Sequence, residues 1–338
     1  HFCVARLGAV MRDGHLQQGF SRHSGIYTSD GNILYVFSCL HGSLLGPCGS
    51  PAARQEKNVS IWKTIRQDRT GMLCLSFLLV VTASGILAPW LAPHDPLLID
   101  TRHKLAASGG AHWLGTDHLG RDIFSRLLYG ARVTVGFSVL TMCVTVCIGT
   151  LLGMLAGFVR GRVEAVLMRA CDVVMSFPSE VLVLAIVGML GPSLENVVLA
   201  CVLAKWPWYT RMVRTITQKY TDMNYIRYAQ VACYSTRYII RRHLLPCAAG
   251  EIAVLASLDT GAVILLISAL SFLGLGVQPP TPEWGTMLAE AKNVMTLYPW
   301  QMLPPGIAIL SVVAACNFLG DSLRDALDPW HHPAGRRE

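Results

Sequence analysis

Four histidines, His94, His103, His112 and His118, fall in one stretch of the chain. Neutral imidazole is a good ligand for nickel and similar borderline cations, so a transient ion relay is one chemistry that this stretch offers. The spacings of nine, nine and six residues fit no single helical metal face. Between them lie Gly115, Thr116, Asp117, Gly120, Arg121 and Asp122. These read as a local turn network in preference to a direct substrate contact. Asp259 is the sole charged residue between Ile252 and Pro282. An acid inside an apolar span is costly and usually faces the bundle interior or a water-filled path. As a carboxylate it would ease the passage of a divalent cation; as a protonated acid it would serve as a packing hydrogen bond. Cys143 and Cys147 share a helix face but read as small apolar fillers. His331-His332 is a short pair in a polar tail. No GxxxxGK[ST] loop, HExxH or GxSxG occurs, so no nucleotide or hydrolase chemistry is expected of the chain itself.

The elements that must position these groups are helices in a bilayer. Of 338 residues, 52% are hydrophobic and only 14% are charged, against about 25% in a soluble domain. Runs of the roughly 20 residues needed to span a bilayer predict six transmembrane helices in an all-α protein. They are Gly71–Ala92, Val133–Val159, Val173–Leu194, a shorter run from Asn196 to Ala204, Ile252–Pro282 and Asn293–Gly320. The third and fourth are separated only by Gly191-Pro192. Lys and Arg collect in alternate connections, which places both termini in the cytoplasm. Lys205 is expected to snorkel to the cytoplasmic surface, and Trp206, Trp208 and Tyr209 to sit in an interfacial belt. The net charge of +7 carries no basic tract with interleaved aromatics, so no nucleic-acid partner is expected. Gly149, Gly153 and Gly157 form a small-residue stripe for close helix packing, within the chain or against a second subunit.

The stretch from Arg211 to Pro246 is basic, with Asp222 its only acid. It reads as helical with a break at Asp222-Met223-Asn224, and Pro246 is expected to separate it from the fifth span. It is either a lipid-facing amphipathic helix or a docking element for a cytoplasmic partner.

Asn224-Tyr225-Ile226-Arg227-Tyr228-Ala229, followed by Arg242-His243-Leu244-Leu245-Pro246, resembles the coupling loop of ATP-binding-cassette importer permeases. Tyr228 and Ala229 fall on that pattern's paired alanines, and Cys233 falls on its turn glycine. A cysteine suits that place only if the backbone stays in an ordinary region. The run from Trp113 to Arg126 resembles the HxLGTDxxGRDxxSR signature of peptide and nickel permeases. Ser271–Gly276 with Pro282–Gly285, and Gly320–Pro329, resemble two further segments of the same family, in the same order. Trp208–Arg214 and Leu258–Gly261 look most like the second nickel permease subunit.

The resemblance implies a type I importer permease fold in a bacterial inner membrane, forming half of a translocation pore. It implies a second homologous permease, two ATPase subunits that bind ATP and magnesium, and a periplasmic binding protein that meets the outer loop from Pro93 to Gly130. No cofactor is expected on this chain. Tyr225, Arg227, Tyr228, Ala229, Cys233, Arg242, His243 and Pro246 would form the coupling loop. The expected cargo is nickel, free or chelated; a di- or oligopeptide or another metal chelate is the alternative. An ion-coupled secondary transporter is a remote third reading, since one midplane acid and no evident repeat fit it poorly. The match covers residues 57–330 as one permease domain. It leaves 1–56, an extension of unknown role for which disorder and an origin outside the mature protein are both open readings, and 331–338, expected as a cytoplasmic tail.

Overall fold

The computed structural model describes residues 68–327, and the regular elements among them are helices. The expectations for residues 1–56 and for the tail with His331 and His332 lie outside the described residues. Helix α1 (Arg69–Ile86) starts at Asp68, whose carboxylate accepts from the backbone N–H groups of Thr70 and Gly71. A short α2 (Ala88–Leu91) leads into the outer loop. Then come α3 (Ile123–Val159), α4 (Gly161–Met175), α5 (Ser179–Leu190) and α6 (Leu194–Thr221). Next are α7 (Asn224–Val231) and α8 (Thr236–Ile239), which passes through a π turn (Ile240–Leu244) into α9 (Leu245–Phe272). A loop and α10 (Trp284–Lys292) precede α11 (Leu303–Leu327).

Helices α1, α3, α8–α9 and α11 with its leading turn are each long and apolar enough to cross a membrane. The pair α4 and α5 would make a fifth crossing as one span broken by a 79° bend. Pro178 causes the break, because a proline disfavours helical backbone in the residue before it. The sixth long helix is α6, 28 residues or about 42 Å, which carries Lys205 near its middle and Arg211, Arg214 and Lys219 in its second half.

Several expected boundaries move, among them the sixth span, whose helix runs over Leu303–Leu327 and not from Asn293 to Gly320. The outer loop ends at Asp122, eight residues before Gly130, because the Asp122 carboxylate caps α3 by accepting from Ser125 N–H. The fifth span stops at Phe272, well before Pro282. Pro246 does not separate the basic loop from that span, since α8, the π turn and α9 run on without a gap. A π turn shifts the hydrogen-bond ladder by one residue, which accommodates a proline lacking its own N–H.

The glycine stripe is internal. A Cβ added at Gly149 would stand 2.3 Å from Tyr209 Cβ, and one at Gly157 would stand 2.8 Å from Thr217 Cβ. Helices α3 and α6 therefore lie backbone to backbone, as a small-residue seam allows. Around this pair, Met142, Val183, Val197, Cys201, Tyr209 and Ile267 close one buried core, and Ile123, Ile264, Trp284 and Val312 close another.

Candidate functional site

The outer loop is held by a buried charge network. Asp117 Oδ2 accepts from Arg121 Nε at 2.6 Å and from Arg126 Nη1 at 2.5 Å. Both guanidinium groups also reach Glu290 on α10, at 2.8 and 2.7 Å. Gly120 turns at φ +83°, and a Cβ there would lie 1.8 Å from the Asp100 carbonyl oxygen. No side chain fits that approach. Thr116 and Asp122 pair as an antiparallel bridge, and the Thr116 carbonyl accepts from Gln301 Nε2 at 3.0 Å. Gly115, Thr116, Asp117, Gly120, Arg121 and Asp122 thus fold back on one another and on the α10–α11 region.

Burial disfavours the charged form of Asp117, but N–H groups of Arg121 and Leu119 and the two guanidinium groups outweigh it and hold its carboxyl below the ordinary value. A carboxyl lowered on folding adds stability above its unfolded value, and that stability is lost as pH falls through the folded value. The destabilisation caused by Asp117→Asn should therefore be full at pH 7 and shrink only below about pH 4. Thermal unfolding of both proteins across that range checks it.

The histidines divide. His94 and His112 lie with ring centroids 4.7 Å apart and their planes tilted by 35°, beside Asp122. His103 lies 6.3 Å from His112, and its Nδ1 is 2.7 Å from Asp100 Oδ2. His118 is not in the group of candidate metal ligands.

Asp259 on α9 lies 2.6 Å from Lys205 Nζ on α6 and accepts from Tyr209 OH at 3.3 Å. Lys205 does not snorkel to the surface: it turns toward this acid, and both side chains are under one-fifth exposed. Tyr209 likewise leaves the expected interfacial belt and is fully buried against α9. An apolar surrounding favours pairing two opposite charges over exposing either alone.

The basic stretch from Arg211 to Pro246 breaks at Asp222-Met223, where expected, and α7 follows. Ile226 and Ala229 bury one face of α7 with Ile239 and Leu244, against Phe158 at the end of α3 and Tyr220 on α6. Arg227 is exposed, and Tyr225 and Tyr228 are half-buried. Arg242 is exposed, Pro246 is half-buried, and His243 is buried beneath Tyr238, with ring centroids 5.8 Å apart. Tyr234 stacks on Tyr238 at 5.0 Å, so an aromatic and basic surface faces outward.

Cys233 departs from expectation: its φ is +59°, the left-handed region. A non-glycine residue there costs about 1–2 kcal/mol. Cys233→Gly should raise stability by about 1 kcal/mol in reducing buffer, whereas Cys233→Ala should not. Denaturant unfolding of the three proteins decides it.

Glu290, Lys205 and Tyr209 complete these arrangements and were not foreseen as such. Glu290 is 169 residues from Arg121, and no local spacing joins them. The lone lysine in an otherwise apolar run was the one available signal for Lys205.

Residues 149–332 match the model of the "binding-protein-dependent transport system inner membrane component" family. Residues 59–107 match the N-terminal TM domain of oligopeptide transport permease C. The chain is 44% identical to the metal-staphylopine import system permease protein CntC of Staphylococcus aureus over 269 residues, covering 80% of this chain and 93% of the relative. It is 38% identical to the nickel transport system permease protein NikC of Escherichia coli, over 76% of this chain and 93% of that one. It is 39% identical to the glutathione transport system permease protein GsiD of Escherichia coli, over 79% and 89% of the two chains.

Proposed function

The chain belongs to the family of binding-protein-dependent transport system inner membrane components, the permeases of ATP-binding-cassette importers, and on that premise we propose that it forms half of a pore importing nickel, free or as a metal chelate. The observation that carries the cargo is its 44% identity to a metal-staphylopine permease along nearly that protein's whole length. The 39% identity to a glutathione permease supports a peptide as the second reading.

In this reading residues 57–330 are one permease domain, with both termini cytoplasmic. A second permease completes the pore, two ATPase subunits bind ATP and magnesium, and a periplasmic binding protein meets the outer loop. Neither nucleotide nor cofactor binds this chain. The exposed face around α7, with Arg227, Tyr228 and Arg242, is where an ATPase subunit docks. Closure of the ATPases then moves the helices as rigid bodies between two states, each favoured by different contacts. Asp259 borders the translocation path, with Lys205 as the resident counter-ion that a passing cation replaces.

The test is uptake in cells carrying all partner subunits, supplied with radiolabelled nickel, nickel chelates or glutathione. Nickel accumulation that survives excess peptide supports the metal reading. Peptide uptake that nickel does not affect replaces it. Asp259→Asn should cut metal uptake at least about tenfold, the scale of losing one good charge contact. Normal transport by an assembled Asp259→Asn complex would remove Asp259 from the path.

A further inference from the structure

The outer network and the coupling surface do not use His94. This residue lies just after α2, and its backbone N–H donates to Ser125 Oγ at 3.2 Å, which holds it beside the start of α3. Its Nδ1 is buried and has no hydrogen-bond partner among the described residues. That atom is 4.0 Å from Asp122 Oδ2. His112 Nδ1 is 3.0 Å from Asp122 Oδ1. One donor atom from each of the three residues lies within 4.8 Å of the others.

We propose that His94, His112 and Asp122 form a binding site for a divalent transition cation such as Ni²⁺ or Zn²⁺ on the outer loop. Two imidazoles and one carboxylate are a donor set suited to such ions and poorly suited to calcium or magnesium. Metal–nitrogen bonds of about 2.0–2.1 Å put neighbouring donors about 3–4 Å apart, so the three donors need to draw in only slightly, and water takes the remaining positions on the ion. Asp122 Oδ2 keeps its bonds to Ser125 N–H and Oγ, at 2.8 and 2.7 Å, and so presents its carboxylate in a fixed direction. Oδ1 serves the ion. As the metal enters at His112 Nδ1, the proton there is given up to solvent and Nε2 takes one in exchange, so the imidazole stays neutral and no redox change occurs. His103, with Nδ1 held by Asp100, offers its Nε2 as the nearest further imidazole. Such a second-sphere carboxylate commonly orients a ligating histidine.

Asp122 falls within the stretch that resembles the peptide and nickel permease signature and His112 directly precedes it, and their mutual contact is accounted for by the turn. The orphaned nitrogen of His94 is not. It distinguishes a metal site from a His–Asp hydrogen bond.

The experiment is equilibrium binding of radiolabelled Ni²⁺, and of Zn²⁺ by calorimetry, to the purified permease–ATPase complex without binding protein or nucleotide. His331 and His332 are changed to alanine throughout, so that the tail does not contribute. The expected result is one saturable site per copy of this chain. His94→Ala should weaken it at least about tenfold, and His94→Cys should restore Zn²⁺ binding. Size-exclusion chromatography confirms that each variant assembles. Absence of saturable binding, or equal binding by the parent and His94→Ala, overturns the site. Because binding is read without transport, its failure is distinct from failure of the cargo reading, which uptake decides.

Discussion

Gly153→Leu should leave essentially no folded protein in the membrane. A Cβ at this position would stand 2.7 Å from the Thr210 carbonyl oxygen and 2.7 Å from Val213 Cβ, with Arg214 N at 3.0 Å. Two of those three atoms are α6 backbone, so no rotamer change relieves the clash. A single extra methyl in a tight core costs about 1–3 kcal/mol. Leucine adds three more carbons and must force α3 and α6 apart along the whole seam. With total stabilities of about 5–15 kcal/mol, Gly153→Ala should survive with a lowered melting temperature and Gly153→Leu should not. Gly136→Ala on the same helix is the control, because nothing lies within 4 Å of its Cβ position. Membrane-fraction immunoblots and thermal unfolding of the purified protein would read all three. Normal yield of Gly153→Leu would mean that the two helices are not in backbone contact.

Arg126→Met should have the next largest effect. The side chain is 1% exposed and bridges Asp117 to Glu290. Removing it leaves two largely buried carboxylates with Arg121 as their remaining common cation. Breaking a buried pair by deleting one partner costs about 3–5 kcal/mol. The double variant Arg126→Met, Glu290→Gln should regain part of that loss, because the excess negative charge goes with the partner. Chemical unfolding of wild type, both single variants and the double variant gives the coupling energy. Additive losses would mean that Arg126 acts by packing alone.

The apolar runs made the spans readable, because a bilayer demands length and hydrophobicity and tolerates few charges. The ends were less readable, since they depend on caps and prolines. Asp122 could have been recognised as the N-cap of α3, as an acid three residues before Ser125. Pro246 misled, because the π turn that absorbs it has no strong sequence signature. The signature loop was legible as a turn network, yet its anchor on Glu290 was not, since helices far apart in sequence meet only through the tertiary fold. The same holds for the Lys205–Asp259 pair. The proximity of His94 and His112 was hidden for another reason. Helical spacing was the wrong ruler for two residues in a folded loop.

Helix α3 has a consequence for how force crosses the molecule. At one end Asp122 caps it within the outer network, and at the other Phe158 packs under α7. Its 37 residues make a strut about 56 Å long. Gly149, Gly153 and Gly157 key it to α6, and interlocked backbones resist sliding past one another. A displacement applied beneath α7 therefore cannot be absorbed by slippage along this seam. It must reappear at the far end as tilt, so the loop that Asp122 closes and the surface around α7 behave as two ends of one beam.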